Sequence, residues 1–480
     1  MKEHMLKFVS RERETPMKRN SGERRRDFDE IYARFADDHA STQASRCSQC
    51  GVPFCSDHCP LGNDIPDWLK AVAEGRLEDA YALSSATNNM PEVCGRICPQ
   101  DRLCEGSCVI EQSGHGTVTI GSVEQYITET AWDKGWIKPV KPAEERPQSV
   151  GVIGAGPAGL AAAEELRKEG FQVKVYDRYD RTGGLLVYGI PNFKLEKHVV
   201  SRRTEHLEKS GVQFIRNFEV GRDATLAELR ADHDAILIAT GVYKARDLVC
   251  PGSGNNGVIA ALDYLTASNR KGLGDDVAAF NTGDLDASGK SVVVIGGGDT
   301  AMDCVRTAVR QSATSVICLY RRDRKNMPGS LREVANAEEE GVIFEWLAAP
   351  KGVKGDAAKA NGIRVSKMEL GEPDESGRRA PVEIDGAEFD IDADMVIKAL
   401  GFEAEDLPAL FNEPDLKVTP RGTLRVDGAT LETNIPGVYA AGDIVRGASL
   451  VVWAIVDGRK AAAAITMQLN SANITPIAAE

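Results

Sequence analysis

This 480-residue chain has no apolar run near the ~20 residues that a membrane span needs. The longest, Leu450 to Val456, stops at Asp457. Residues 1–30 lack the apolar core of a secretory signal, so the cytoplasm is the expected compartment. Basic charge is in deficit: 58 Lys and Arg face 72 Asp and Glu. The resulting net charge of −14 excludes a general nucleic-acid binder, which needs a basic face. Histidine is also scarce, and none of the seven forms a zinc-protease pattern or another ligand pair. No β-rich run occurs before residue 149. The composition, 42% apolar and 27% charged, is still that of a folded protein, and the length calls for two to four domains.

Cysteine is abundant, and it is concentrated. Eight of the eleven, Cys47, Cys50, Cys55, Cys59, Cys94, Cys98, Cys104 and Cys108, fall within residues 47–108. They are spaced C-x2-C-x4-C-x3-C and C-x3-C-x5-C-x3-C, with Pro60 and Pro99 directly after a cysteine. Iron–sulfur cubanes take thiolates from a tight loop, often with one distant ligand, and eight suffice for two clusters. Zinc is the main alternative, but zinc sites usually pair two C-x2-C knuckles and only one is present. Disulfides are disfavoured in a reducing compartment. Cys250, Cys304 and Cys318 are scattered and read as small hydrophobes.

Residues 28–46 and 63–87 read as short helices in a helical, loop-rich region. The first 26 residues, with nine Lys and Arg against four Glu, read as a solvated basic arm. Lys138 to Pro147 is a proline-rich, charged linker and places a boundary there.

Beyond the linker the pattern changes. Gln148–Ile153 reads as a buried strand, Leu160–Glu169 as a helix and Gln172–Tyr176 as a second strand. The turn between the first strand and the helix carries Gly154, Gly156 and Gly159 in a G-x-G-x-x-G pattern. Those glycines permit a tight turn, a close pyrophosphate and close helix packing, and Asp177 ends the next strand where a ribose hydroxyl binds. A carboxylate there fits FAD or NAD and repels a 2′-phosphate. The same parts recur at Ser291–Ile295, Ala301–Gln311 and Ser315–Tyr320, with Gly296 and Gly298 in the turn. Here no acid follows the second strand. Arg321 and Arg322 do, and their guanidinium groups favour NADP, unless they are only solvated. Ala239-Thr240-Gly241 and Ala440-Ala-Gly442-Asp443 each follow an apolar strand, and the second can bring a carboxylate to a flavin's ribityl chain. A closing helix is expected from about Leu450 to Leu469, and loops at 270–289 and 371–380. Clusters carry single electrons and nicotinamides carry hydrides, so this order of parts suggests an electron-transfer protein with a flavin as converter.

Taken together, these residues resemble the small (β) subunit family of NADPH-dependent glutamate synthase. The marks are the paired cysteine groups, Val152–Leu160, Tyr188-Gly-Ile-Pro-Asn-Phe-Lys194, Gly296–Asp303 and Gly437–Asp443. The N-terminal half is also similar to part of dihydropyrimidine dehydrogenase. The resemblance implies an α/β fold: an N-terminal helical iron–sulfur domain, residues 1–145, followed by two Rossmann-like domains of the adrenodoxin-reductase kind. These are an FAD domain, 146–250 and 406–480, and an NADPH domain, 251–405, inserted in it. It implies that Gly154, Gly156, Gly159, Asp177, Gly184, Leu185, Ile190, Gly442 and Asp443 hold FAD. Gly296, Gly298, Asp299, Thr300, Arg321 and Arg322 would hold NADPH. Two 4Fe-4S clusters would be held by Cys47, Cys50, Cys55 and Cys108, and by Cys59, Cys98, Cys104 and Glu124, with Cys94 as the rival fourth ligand. Electrons would then pass to a large (α) subunit carrying FMN, in a hetero-oligomer that makes glutamate from glutamine and 2-oxoglutarate. The alternative is the electron-transfer subunit of another NAD(P)H:ferredoxin-type complex.

Overall fold

The computed structural model describes residues 4–375 and 379–472. Among them no helix is long and apolar enough to cross a membrane. The cysteine region is helical, as its lack of β-formers predicts. Ile65–Ala73 and Leu77–Thr87 form a hairpin rather than the single stretch read at 63–87. Gly75, at φ +76°, makes the break, in a left-handed conformation that other residues resist. Two helices escaped the sequence reading, Pro91–Ile97 and Ile120–Asp133. Trp68, Leu69 and Val72 pack against Val123, Tyr126 and Ile127 to make this region's core.

Two five-stranded parallel sheets follow. In space the first runs Val438–Ala440, Ala235–Ile238, Ser149–Ile153, Gln172–Asp177, Gln213–Arg216. The second runs Val258–Ala260, Met395–Lys398, Ser291–Ile295, Ser315–Tyr320, Ile343–Trp346. The chain therefore leaves the first sheet after Ile238, builds the second, and returns at Val438 to pair with Ile236. Both glycine loops lie at the carboxyl ends of a central strand, the usual ligand face of such sheets. The closing helix, Val451–Ala472, packs on Pro157–Lys168 beneath the first loop.

A third sheet, antiparallel, was not foreseen: Ala348–Asp356, Lys359–Pro373 and Arg379–Asp392. It corrects the loop read at 371–380, which is a hairpin end whose residues 376–378 lie outside the described residues. The loop read at 270–289 begins inside the helix Ala261–Gly272 and contains a short helix at Ala278–Asn281.

The basic arm is anchored at Arg24, while Arg11, Arg13, Arg25 and Arg26 remain exposed as expected. Lys18 bridges Tyr32 in antiparallel fashion, which holds residues 28–36 extended and leaves only Asp37–Ala44 helical. Arg24 is 1% exposed, donates to Glu339 at 2.7 Å and lies 3.5 Å from Glu340. Glu340 also accepts from Arg306 at 2.9 and 3.0 Å and from Arg310 at 2.6 Å. Both arginines lie over the Phe193 ring, at 4.5 and 3.9 Å from its centroid. The arm, the second sheet's helices and the segment around Phe193 thus meet in one buried charged cluster. Removing the common anion would leave buried guanidinium groups uncompensated. Glu340→Ala is expected to lower unfolding stability by about 3–5 kcal/mol, read from denaturant titration.

Candidate cofactor sites

The first glycine loop is built by close backbone crossings. Gly154 sits at φ +108°, and a Cβ there would come within 2.4 Å of the Ala239 carbonyl oxygen. A Cβ on Gly159 would lie 2.0 Å from the Gly154 carbonyl oxygen. A Cβ on Gly156 would meet nothing within 4 Å. That open position, at the start of the helix Pro157–Lys168, is where anionic phosphates meet free amides and the positive helix end. Asp177 is tied to the loop: its Oδ2 accepts from Ala155 N at 2.6 Å and its Oδ1 from Tyr179 N at 2.8 Å. Burial pushes its carboxyl up, against those two hydrogen bonds.

A cavity of about 280 Å³ opens from this loop. Gly154, Gly156, Asp177, Leu185, Ile190 and Asp443 all line it. Gly184 and Gly442, at φ +55° and +78°, shape its turns. The Thr240 hydroxyl on its wall is buried without a partner, so the cavity presents an unused polar group to a polar occupant. The Lys197 ammonium donates to the Leu186 carbonyl at 3.0 Å and to that of Ile190, which holds the turn along the cavity. Burial pulls Lys197 down to about 7. Asp443 accepts from the Ser449 hydroxyl at 2.6 Å. These features fit FAD: an open phosphate seat, a ribose acid and an apolar slot under a helix start.

The sequence reading missed four residues on this wall. Ile97 and Pro99, either side of Cys98, reach it from the cysteine region. Lys194 and Asp303, from two motifs quoted above without a role, reach it as an ion pair 2.9 Å apart. A proline directly after a cysteine was the available signal for the first pair.

The second loop repeats the first. Gly296, at φ +148°, passes the Ala399 carbonyl so closely that a Cβ would lie 2.2 Å away, whereas a Cβ on Gly298 would meet nothing within 4 Å. Gly296, Gly298, Thr300, Arg321 and Arg322 line a second cavity of about 710 Å³. The Arg322 Nε is buried without a partner, as a site awaiting a phosphate would leave it. Asp299 does not join this set. It lines the first cavity, and its Oδ1 accepts from Ser330 N at 2.9 Å. Thr300 lines both cavities and marks where they meet.

The cysteines form two neighbourhoods. Cys55 is pushed up to about 12 by burial and then by Cys47 and Cys108, and Cys47 is raised by burial and then by Cys108 and Cys50. Cys59 is pushed up to about 11 by burial, Glu124 and Cys94. Cys98 is raised by contact with Cys94, then by burial, Glu124 and Cys104. Cys104 is raised by burial first, with Cys59 and Glu124 among the nearby charges. Buried thiols crowded this way gain from a cation that takes them as thiolates. Among the described residues no three ligands converge at single-ion spacing. Cys304 and Cys318 are fully buried, as small hydrophobes should be.

Both rival fourth ligands stand beside the second set. The Glu124 Oε1 accepts from Asn63 and Asn88 amides, each at 3.2 Å, and burial pushes its carboxyl up to about 8. The Cys94 thiol touches Cys98 and points at the Asn88 Oδ1 at 3.8 Å.

Known proteins share this layout. Residues 24–136 match the family described as "Dihydroprymidine dehydrogenase domain II, 4Fe-4S cluster", and residues 148–458 match pyridine nucleotide-disulphide oxidoreductase. The glutamate synthase [NADPH] small chain of Azospirillum brasilense is 66% identical over 476 residues, 99% of this chain and 98% of that protein. The chain belongs to the NADPH-dependent glutamate synthase small-chain family. The Escherichia coli small chain is 44% identical over 469 residues, 96% of this chain and 98% of its own length. Mycobacterium tuberculosis FprA in complex with NADPH shares the fold, with TM-score 0.58 and 22% identity over 68% of this chain and 86% of that one. As a member of the small-chain family, the protein is an NADPH-dependent oxidoreductase that joins a 4Fe-4S unit to a flavin and nicotinamide unit.

The two candidate ligands separate by experiment. If Glu124 is the fourth ligand, Glu124→Ala removes one of two clusters by iron analysis and Cys94→Ser leaves the iron count unchanged. The reverse pattern assigns Cys94.

Proposed function

We propose that this chain is the electron-input subunit of glutamate synthase, and that NADPH, FAD and two 4Fe-4S clusters are arranged along it in that order. One observation carries the reading. A single cavity is lined by the first glycine loop, by Thr300 of the second, and by Ile97 and Pro99 beside Cys98. Hydride donor, flavin and first iron centre would therefore adjoin there.

Residues 1–145 would be the cluster domain, 146–250 with 406–480 the FAD domain, and 251–405 the NADPH domain. FAD would lie on Gly154, Gly156, Gly159 and Asp177, along Gly184, Leu185 and Ile190, to Gly442 and Asp443. Arg321 and Arg322 would hold the 2′-phosphate of NADPH, with its pyrophosphate at Gly296 and Gly298 and its nicotinamide end at Asp299 and Thr300. When bound, the flavin accepts a hydride and releases single electrons, which the clusters conduct. The protein's part is to hold these groups and exclude water, since hydride transfer between cofactors needs no protein base.

The cluster nearest the flavin would be that of Cys59, Cys98, Cys104 and Glu124. Cys98 packs in the same core as Ala155 and Ala158, while Cys47 belongs to the helical core. The outer cluster, on Cys47, Cys50, Cys55 and Cys108, would face the large subunit. Val52 and Phe54 in its loop are 66% and 43% exposed, apolar groups suited to burial by a partner. That partner would carry FMN and form glutamate from glutamine and 2-oxoglutarate, within a cytoplasmic hetero-oligomer. A second reading has its own support: the putative oxidoreductase AegA of Escherichia coli is 44% identical over 92% of this chain and 67% of its own length. By that reading the same module would serve another complex.

Replacing Arg321 and Arg322 with Ala is expected to raise the KM for NADPH about tenfold or more and leave that for NADH nearly unchanged. Equal effects on both would remove them from the 2′-phosphate. Purification of the native complex decides the partner: a large flavoprotein with glutaminase activity supports glutamate synthase, and its absence supports the second reading.

A further inference from the structure

Hydride transfer moves two electrons and one hydrogen nucleus, whereas iron–sulfur clusters accept electrons alone. Each turnover, NADPH → NADP+ + H+ + 2 e−, therefore leaves one proton in a cavity whose wall carries the ionisable side chains Asp177, Lys194, Asp299, Asp303 and Asp443 among apolar ones. That proton needs a way out that the electrons do not share.

We infer that Asp303 and Lys194 form this outlet, carrying the proton from the flavin cavity into a separate polar cavity behind it. The inference rests on the functional reading above. Both side chains line the flavin cavity, and Lys194 also lines this polar cavity, of about 340 Å³, between the basic arm, the cysteine region and the second sheet's helices. Lys194 is thus shared by the two. Its Nζ lies 2.9 Å from the Asp303 carboxylate and 3.7 Å from Glu333, which lines the polar cavity. Beyond them the walls carry polar atoms without hydrogen-bond partners: the Gln100 Oε1, the Thr119 hydroxyl and the Arg332 Nε, the last 3.9 Å from Glu333. Gln100 and Thr119 are 3% and 1% exposed. Buried groups left so are ordinarily satisfied by water, and ordered water conducts protons. The partly exposed side chains of Arg332 and Lys18 carry the cavity to the surface.

The charges suit the task. Asp303 is 3% exposed, and burial raises its carboxyl to about 6 against the pull of Lys194. It can take a proton near neutral pH. Burial would neutralise Lys194, but Asp303, Glu333 and Asp299 outweigh it and keep the ammonium charged. Glu333 is held at about 2, against burial, by Lys194, Arg306 and Arg332, so it stays an anion beside the route. The groups facing Asp303 are Lys194, Lys197, Asp299, Arg306 and Glu333. In the transfer, Asp303 binds the proton, Lys194 gives one of its own hydrogens to water in the polar cavity, and Asp303 replaces it. No charge or atom is left over.

The test is anaerobic stopped-flow of the holoprotein with NADPH in weakly buffered solution containing a pH indicator. Flavin bleaching, cluster reduction and proton appearance are followed together. Asp303→Asn is expected to release its proton and reduce its clusters about 10²-fold more slowly than the wild type, and both steps should lag behind its own flavin bleaching. Asp303→Glu should restore most of both rates. In the wild type, proton release should fall as pH drops below about 6, where Asp303 is already protonated, and this dependence should vanish in Asp303→Asn. Redox-difference infrared spectra should show a protonated-carboxyl band that the Asn variant lacks. Lys194→Met, which keeps Asp303, should give the same delay and supplies the test should Asp303→Asn not fold. Normal proton timing and an unchanged pH profile in either variant overturn the inference. A wild-type flavin that NADPH does not bleach overturns instead the functional reading beneath it.

Discussion

The structure depends on the burial of Phe193 under two guanidinium groups that share one carboxylate. Arg306 and Arg310 stand on a helix of the second sheet, and Phe193 belongs to the segment between the strands Gln172–Asp177 and Gln213–Arg216 of the first. Glu340 neutralises both and is itself reached by Arg24 of the arm. Three stretches far apart in sequence are thereby held at one point. Their relative angle sets whether Thr300 and Asp177 border the same cavity. Buried ion pairs are weak sources of net stability, because desolvation consumes much of their attraction. Their value here lies in geometry: an imperfectly seated member would leave a bare charge, so alternative domain angles are strongly disfavoured.

Much of this was legible in the sequence, and the legible parts share a cause. Both strand–glycine–helix units appear within three residues of their expected ends, because local sterics at Gly154, Gly159 and Gly296 require a particular turn. Asp177 and the Arg321-Arg322 pair stand at corresponding strand ends, since position in a βαβ unit is nearly a function of chain length. The arm was misread for the opposite reason. Nothing local to Arg24 reports that Glu339 and Glu340 lie beside it. Charge runs show composition and conceal partners.

The antiparallel sheet at 348–392 was hidden by its own surface. Its strands alternate weakly and expose polar residues on much of both faces, so the period-two signal is faint. The helix at Ile120–Asp133 was hidden by burial, because its apolar and polar positions are almost all inside and no polar face marks its phase. Glu124 and Glu129 lie within it, and their partners come from distant segments, the loop residues Asn63 and Asn88 and the helical Arg202. The cysteines fall between these cases. Their count and spacing announce iron, yet the division into two neighbourhoods emerges only when Cys108 returns to Cys47 and Cys55.

The route of the chain through the sheets also orders its biogenesis. Val438–Ala440 is an edge strand of the first sheet, and it emerges from the ribosome only after the whole second sheet and its antiparallel neighbour. Until then Ala235–Ile238 presents an unpaired, apolar margin that invites wrong partners. The nascent flavin unit must wait, half-built, for a neighbour that is finished first. Chaperone demand and cofactor loading should therefore concentrate in the last stretch of translation.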